Sequence, residues 1–174
     1  MREIVIGTTN QAKVKQIQGA LSGLGIVVSG ISDISSLPDV EEDGKTPQEN
    51  ARKKSLVYSK ALGKIVLSMD NALFFDQLPE EKQPGMHVRR IQGRNDRPTD
   101  DEFFDYYTSL VSSLGNNVSG RWEFAICVAS PEGQIAETTI ISPRRFVSTP
   151  SVIQIPGYPL ESIQVDPESS KYIS

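Results

Sequence analysis

The chain has 174 residues, about one domain's worth, with 37% hydrophobic and 23% charged residues, which excludes a disordered or fibrous protein. Eighteen Lys and Arg against 22 Asp and Glu leave a formal charge of −4, which argues against coating nucleic acid by bulk electrostatics. One cysteine (Cys127) and one histidine (His87) exclude an intramolecular disulfide, a Cys-rich zinc site and a Ser-His-Asp triad. No apolar run approaches the ~20 residues of a membrane span, and the segment Met1 to Gly7 is too short and too soon polar for a signal peptide. The expectation is a soluble domain of a reducing compartment, the cytoplasm, with no membrane and no nucleic-acid partner.

In chain order, Glu3 to Gly7 reads as a short buried strand. Asn10 to Leu24 reads as a helix with Val14, Ile17, Ala20, Leu21 and Leu24 at helical spacing, stopped by Gly23 and Gly25. A second strand is expected near Ile26 to Val28, followed by an acidic loop from Pro38 to Lys45. Thr46-Pro47-Gln48-Glu49 has the form of a capped helix start, with Glu49 completing a capping box, and Gly63 suits the left-handed stop after Leu62. Ile65 to Ser68 reads as a buried strand with Asp70 at its end, and Gly85 to Thr99 as a loop. Thr99-Asp100-Asp101-Glu102 opens a further helix, with Phe103, Tyr107, Leu110 and Leu114 on one face. Phe104 and Tyr106 add bulk that fits an interface or a wide core face equally well.

Two strands, about Glu123 to Ala129 and Gln134 to Ile141, flank the turn Ser130-Pro131-Glu132-Gly133 and read as an antiparallel hairpin, with Cys127 as a buried structural thiol. The segment from Ser142 to Ser174 is proline-studded, lacks a terminal helix and reads as an early stop of the chain. Strands alternating with helices and ending in a hairpin predict an α/β domain with a mixed sheet.

The strand-to-helix junction at Thr8, Asn10 and Lys13 has the composition of an anion site. Helix N-terminal N–H groups, two kinds of neutral donor and one full charge converge there. The same residues also fit a plain helix cap beside an exposed lysine. There is no glycine-rich Walker loop. Glu41, Glu42 and Asp43 in the acidic loop, and Asp70, supply carboxylates of the kind magnesium takes together with water and phosphate oxygens. A solvated loop explains the first three as readily.

Three motifs together resemble the Ham1-type inosine triphosphate pyrophosphatases. Thr8-Thr9-Asn10-Gln11-Ala12-Lys13 is similar to the family's Ser/Thr-x-Asn-x-x-Lys. The run from Glu42 through Gly44, Thr46 and Glu49-Asn50-Ala51 to Lys54 is similar to its Glu-Thr-Gly-x-Thr-Phe-x-Glu-Asn-Ala-x-x-Lys. Pro84-Gly85 with Arg90 and Gly93 resembles its Pro-Gly-Val-Tyr-Ser-Ala-Arg-Tyr-Ala-Gly. The chain departs from the family at Met69-Asp70-Asn71-Ala72-Leu73, where the family has Asp-Asp-Ser-Gly-Leu. It also departs at Gly157-Tyr158-Pro159, which lacks the aspartate of Gly-Tyr-Asp-Pro, and at Lys171-Tyr172-Ile173-Ser174, where Ser-His-Arg would follow the lysine.

The resemblance implies an ITPase-like fold: a mixed twisted sheet flanked by helices, with residues 1–174 forming one pyrophosphatase-like domain of two lobes around a central cleft. It implies hydrolysis of noncanonical purine nucleoside triphosphates such as ITP, dITP and XTP to the monophosphate and pyrophosphate. Mg2+ would be held by Glu42 and Asp70, with Asp70 also the catalytic residue that handles the attacking water. Thr8, Asn10, Lys13, Lys54, Arg90, Tyr158 and Lys171 would form the substrate-binding set, Tyr158 stacking on the base. A homodimer is implied by the same analogy. The alternatives are a related pyrophosphatase with a different nucleotide, and a nucleotide-binding homologue without turnover.

Overall fold

The computed structural model describes residues 2–34, 36–91, 96 and 98–174. Gly93 of the third motif and part of the expected loop from Gly85 to Thr99 lie outside the described residues. The elements are β1 (Arg2–Ile6), α1 (Gln11–Ala20), β2 (Ile26–Gly30), α2 (Pro47–Leu62), β3 (Val66–Phe75), α3 (Asp100–Ser113), β4 (Asn117–Ala129), β5 (Ile135–Val147) and β6 (Gln164–Val165). Their hydrogen-bonded order is β2-β1-β3-β4-β5-β6. β1 runs parallel to β2 and β3, and β5 antiparallel to β6, so the sheet is mixed, as the alternating pattern predicts. The chain divides into two compact units, residues 1–71 with 124–140, and residues 72–123 with 141–174.

In the first unit the parallel register Val5↔Val66 and Ile6↔Leu67 seats β1 against β3, and Val5, Val66 and Ile31 form a core joined by Tyr58 and Leu62 of α2. Gly7 follows β1 where the chain passes close to β3: a Cβ there would lie 2.3 Å from the Ser68 hydroxyl oxygen, so a larger residue would force Ser68 to move. α1 is shorter than its apolar spacing suggests. It stops at Ala20, only Val14 is buried, and Leu24 is 64% exposed. Gly23 and Gly25 both adopt the left-handed region (φ +83° and +66°), turning the chain into β2 before Leu24 can pack.

α2 begins at the Thr46 cap, whose hydroxyl accepts from Glu49 N, and ends at Gly63 with φ 62°. The capping box is only half formed, because the Glu49 carboxylate accepts from Lys45 N at 2.7 Å. The buried side of α2 carries Asn50, Lys54, Ser55 and Ser59 as well as Ala51. Ser55 is fully buried: its hydroxyl donates to Cys127 O at 2.7 Å and accepts from Ser68 N at 3.2 Å. Cys127 is the buried thiol expected, and its pKa is pushed up by burial.

The second unit is built around Leu73, Phe75, Phe103, Tyr107, Val111, Val118, Phe146 and Ile163. Thr99 and Glu102 form the reciprocal capping box at the start of α3. Phe104 and Tyr106 are half-buried and pack against this core, which supports the wide core face over the interface. The Tyr107 hydroxyl donates to Val88 O at 3.0 Å.

Two expectations for the later strands need correction. β4 and β5 are joined at the expected turn, where Ser130 N donates to Gln134 O at 2.9 Å, but both strands are 13 residues long. A connection this short leaves only the antiparallel arrangement, since a parallel pair needs a crossover of about a dozen residues. The segment after Ser142 is also less irregular than its prolines suggest. It continues β5 to Val147, makes a 3-10 turn at Pro159–Ile163 and adds β6, which pairs Arg145↔Val165 and Phe146↔Gln164.

Candidate functional site

The acidic loop, α2 and β3 converge on Lys54 in the first unit. Its ammonium donates to Glu42 Oε1 at 2.8 Å, stands 3.7 Å from Asp70 Oδ1 and reaches Met69 O at 3.5 Å. The side chains of Lys54 and Asp70 are 11% and 13% exposed, whereas Glu42 at 53% faces solvent. Asp70 sits within β3 rather than at its end, because the strand runs on to Phe75.

Asn50, one helical turn before Lys54, organises this cluster, and the expected substrate and metal residues did not include it. Its Nδ2 donates to Asp70 Oδ2 at 3.0 Å, and its Oδ1 accepts from Gly44 N at 2.8 Å. A single buried amide therefore ties the loop that carries Glu42 to the strand that carries Asp70. A Cβ at Gly44 would lie 2.5 Å from Asn50 Oδ1, so the close approach needs glycine. The signal was in the sequence: Asn50, Lys54 and Ser55 occupy the inward face of α2, where a purely structural helix would place apolar residues.

Around this centre, Lys53 pairs with Asp43 at 2.6 Å, and that hydrogen bond holds the Asp43 carboxyl below its usual range. The Tyr58 phenol is pushed up by burial. Lys54 opposes that shift, and Asp39 and Glu42 add to it. Met69, in the position of a family aspartate, brings only its backbone oxygen to Lys54. Asn71 Oδ1 is buried without a partner among the described residues.

The loop after β1 is brought alongside β3, since Gly7 N donates to Leu67 O at 2.8 Å. There Thr8 Oγ1 accepts from Asn10 N at 3.2 Å, and Asn10 Oδ1 accepts from Ala12 N at 3.0 Å and Lys13 N at 3.4 Å. The helix-cap reading of these residues is therefore realised: Asn10 itself satisfies two amides of the first turn. What these bonds leave for an anion is chemistry of the side chains: the Asn10 Nδ2 protons and the Thr8 hydroxyl proton.

Arg90, Tyr158 and Lys171 belong to the second unit. Arg90 is exposed at the end of the turn from Met86, with its N–H on His87 O. Its neighbour Arg89, not singled out from sequence, is the anchored residue: it pairs with Asp100, lies 4.5 Å over the Phe103 ring and donates to Gly157 O at 3.4 Å. Tyr158, next to that carbonyl, is half-buried, and burial with the nearby Glu161 pushes its phenol up to about 12. Lys171 is exposed, and its carbonyl accepts from Asp166 N at 2.9 Å.

Two carboxylates within reach of one ammonium suit a divalent cation whose remaining ligands are water and phosphate oxygens. Among the described residues no group of three or more His, Cys, Asp or Glu forms an all-protein cage.

The Ham1 family model matches residues 4–142 of the chain. A dITP/XTP pyrophosphatase of Geobacter sulfurreducens is 37% identical over 95 residues, 55% of this chain and 47% of that protein. The dITP/XTP pyrophosphatase of Bacillus licheniformis is 31% identical over 142 residues, 80% of this chain and 71% of that one. The protein of the same name from Staphylococcus aureus strain MW2 is 35% identical over 140 residues, 80% and 67% of the two chains. The chain thus spans about half the length of the first relative and some two thirds of the others. Among solved structures, the Staphylococcus aureus Ham1 protein aligns over 99% of this chain and 85% of its own, with TM-score 0.72 and 26% identity. A HAM1 protein from Coxiella burnetii aligns over 99% and 86% with TM-score 0.76 at 23% identity, a likeness of fold alone.

Proposed function

The chain belongs to the Ham1 family, and from that premise we propose that it hydrolyses noncanonical purine nucleoside triphosphates at the α–β linkage, releasing the monophosphate and pyrophosphate. The observation that carries this reading is the approach of both the Glu42 and the Asp70 carboxylates to the Lys54 ammonium, at 2.8 and 3.7 Å. The name dITP/XTP pyrophosphatase, borne by the relatives above, supports the substrate class.

In this reading Glu42 and Asp70 would hold Mg2+, which would supply neutralisation of charge on the triphosphate. Asp70 accepts the proton of the attacking water while the bond to the departing pyrophosphate breaks. Its orientation is set by Asn50, whose Nδ2 donates to Asp70 Oδ2 at 3.0 Å. Lys54 and Lys13 hold phosphate oxygens, and the Thr8 hydroxyl and Asn10 Nδ2 donate to them. Tyr158 stacks on the base, and Arg90 and Lys171 complete the substrate contacts. A 6-keto purine is favoured because a site built to hydrogen-bond one base edge leaves buried groups unpaired against the other.

The reading takes residues 1–174 as one pyrophosphatase-like domain acting in the cytoplasm as a homodimer. Exposed Ile135 and Ile140 on β5 support a surface for a second copy. Among the described residues no helix is long and apolar enough to cross a membrane.

The test is pyrophosphate release from ITP, dITP, XTP, ATP and GTP with magnesium, for the native chain and Asp70→Asn. The expected result is pyrophosphate from the inosine and xanthosine substrates and a drop of about 10²–10⁴-fold in the variant. Magnesium-dependent nucleotide binding without pyrophosphate from any substrate overturns the proposal in favour of a binding-only homologue, the alternative that Met69 in place of an acid favours.

A further inference from the structure

We infer that Lys54 is the resident counter-cation of the Glu42–Asp70 pair, so that these carboxylates accept a divalent cation only when an anionic group of the nucleotide draws the ammonium away. The inference rests on the proposal that Glu42 and Asp70 are the metal ligands, and adds an order of events: metal and nucleotide enter together.

The ammonium has three protons and three oxygens around it, Glu42 Oε1 at 2.8 Å, Met69 O at 3.5 Å and Asp70 Oδ1 at 3.7 Å. Its charge therefore already stands against both carboxylates proposed as metal ligands. Magnesium needs oxygen ligands at about 2.0–2.1 Å, so a metal on the Glu42 oxygen would stand against a full positive charge already in contact with that oxygen. Lys54 is mostly shielded from solvent, which weakens screening of that repulsion. A triphosphate resolves the conflict. It offers the ammonium a polyanionic partner of its own and supplies the oxygens that two carboxylates cannot.

Asp70 does not depend on Lys54 for its placement, and the loop that carries Glu42 is anchored independently of the ammonium, although the Glu42 carboxylate itself bonds to Lys54. Asn50 holds Asp70 Oδ2 at 3.0 Å and, through Gly44 N at 2.8 Å, holds the loop carrying Glu42. Removing the ammonium therefore leaves a positioned Asp70 and, on an anchored loop, Glu42: two uncompensated negative charges that make a better site for a free dication.

The probe is Mn2+, titrated against the nucleotide-free protein and read as the loss of free-ion signal by electron paramagnetic resonance. The variants are Lys54→Met, Lys54→Gln, Lys54→Arg and the double variant Lys54→Met/Asp70→Asn, each checked for folding by circular dichroism. Lys54→Met and Lys54→Gln are expected to bind Mn2+ at least about tenfold more tightly than the native chain, the order expected for losing one like charge at contact distance. Lys54→Arg should stay weak, and the gain should vanish in the double variant. If whichever neutral variant folds binds Mn2+ no better than the native chain, while the native chain takes up Mn2+ with a non-hydrolysable dITP analogue, the placeholder role is overturned and the metal ligands stand. If no form binds Mn2+ even with the analogue, the metal assignment fails and this inference falls with it.

Discussion

Asn50 is the residue whose loss separates positioning from charge. It is buried between Gly44 N and Asp70 Oδ2, and both of those bonds go to groups with restricted access to water. In Asn50→Ala both partners lose a hydrogen bond, and a buried group left unpaired costs about 1–3 kcal/mol. The variant is expected to melt lower and also to lose turnover, because the Glu42 loop and Asp70 are no longer held to one another. Comparing thermal melts with steady-state rates checks this: unchanged kcat in a destabilised variant would reduce Asn50 to a packing residue. The motif containing Asn50 was plain in the sequence, but its task was not. Hydrogen bonds from residue 50 to residues 44 and 70 join separate segments, and no spacing rule reports them.

At the scale of elements, α2 is the scaffold of the first unit's chemistry. Its ends follow local rules, Thr46 at the start and Gly63 in the left-handed region at the stop, and both were legible as sequence. Its inward face is held by Ser55, whose hydroxyl serves a carbonyl of β4 and an amide of β3. Ser55→Ala leaves a fully buried carbonyl and a buried N–H without that partner, and should destabilise the protein by about 1–3 kcal/mol. A urea midpoint shift at unchanged m-value is the measurement. No shift would mean that the two groups find other partners. α1 illustrates where spacing misleads: its apolar stripe extends to Leu24, but glycine conformation at 23 and 25 ends the element first. β3, β4 and β5 outrun their expected lengths for a different reason. Strand extent is decided by neighbouring strands in the sheet, and an edge of polar residues continues a ladder as readily as an apolar run.

For the whole molecule, the pH dependence of stability divides its carboxylates into two sets. Glu137 is held low by its hydrogen bond to Arg52, Asp43 by Lys53, and Asp166 by the Ser169 amide. A depressed carboxylate contributes stability above its ordinary value, and that contribution is lost as pH falls through the folded-state value. Acid should therefore destabilise the protein progressively below about pH 4. Glu161 has the opposite sign: burial raises it, with Arg144 opposing. Its contribution is complete below the ordinary carboxylate value and is lost as pH rises through the raised one. Glu161→Gln is expected to match or exceed the native chain in thermal stability at pH 7, with the difference closing toward pH 4. Melting curves across that range check the sign, and a variant less stable at pH 7 than at pH 4 relative to the native chain would contradict it.

Cap residues, glycine stops, the Ser130–Gly133 turn and the alternation of strand with helix were determined by sequence alone, because each depends on a few neighbouring residues and their backbone preferences. The same locality made the Thr8–Lys13 and Glu42–Lys54 motifs readable, since each spans a single loop-and-helix junction. Only the tertiary structure decided that Asp70 lies within a strand, that Asn50 joins it to the Glu42 loop, and that Lys54 turns inward between two carboxylates. It also decided that the last segment closes against β5 as β6. Most of these features rest on contacts between residues 12 or more apart in the chain, whose energies depend on burial and on which polar groups are left to be satisfied.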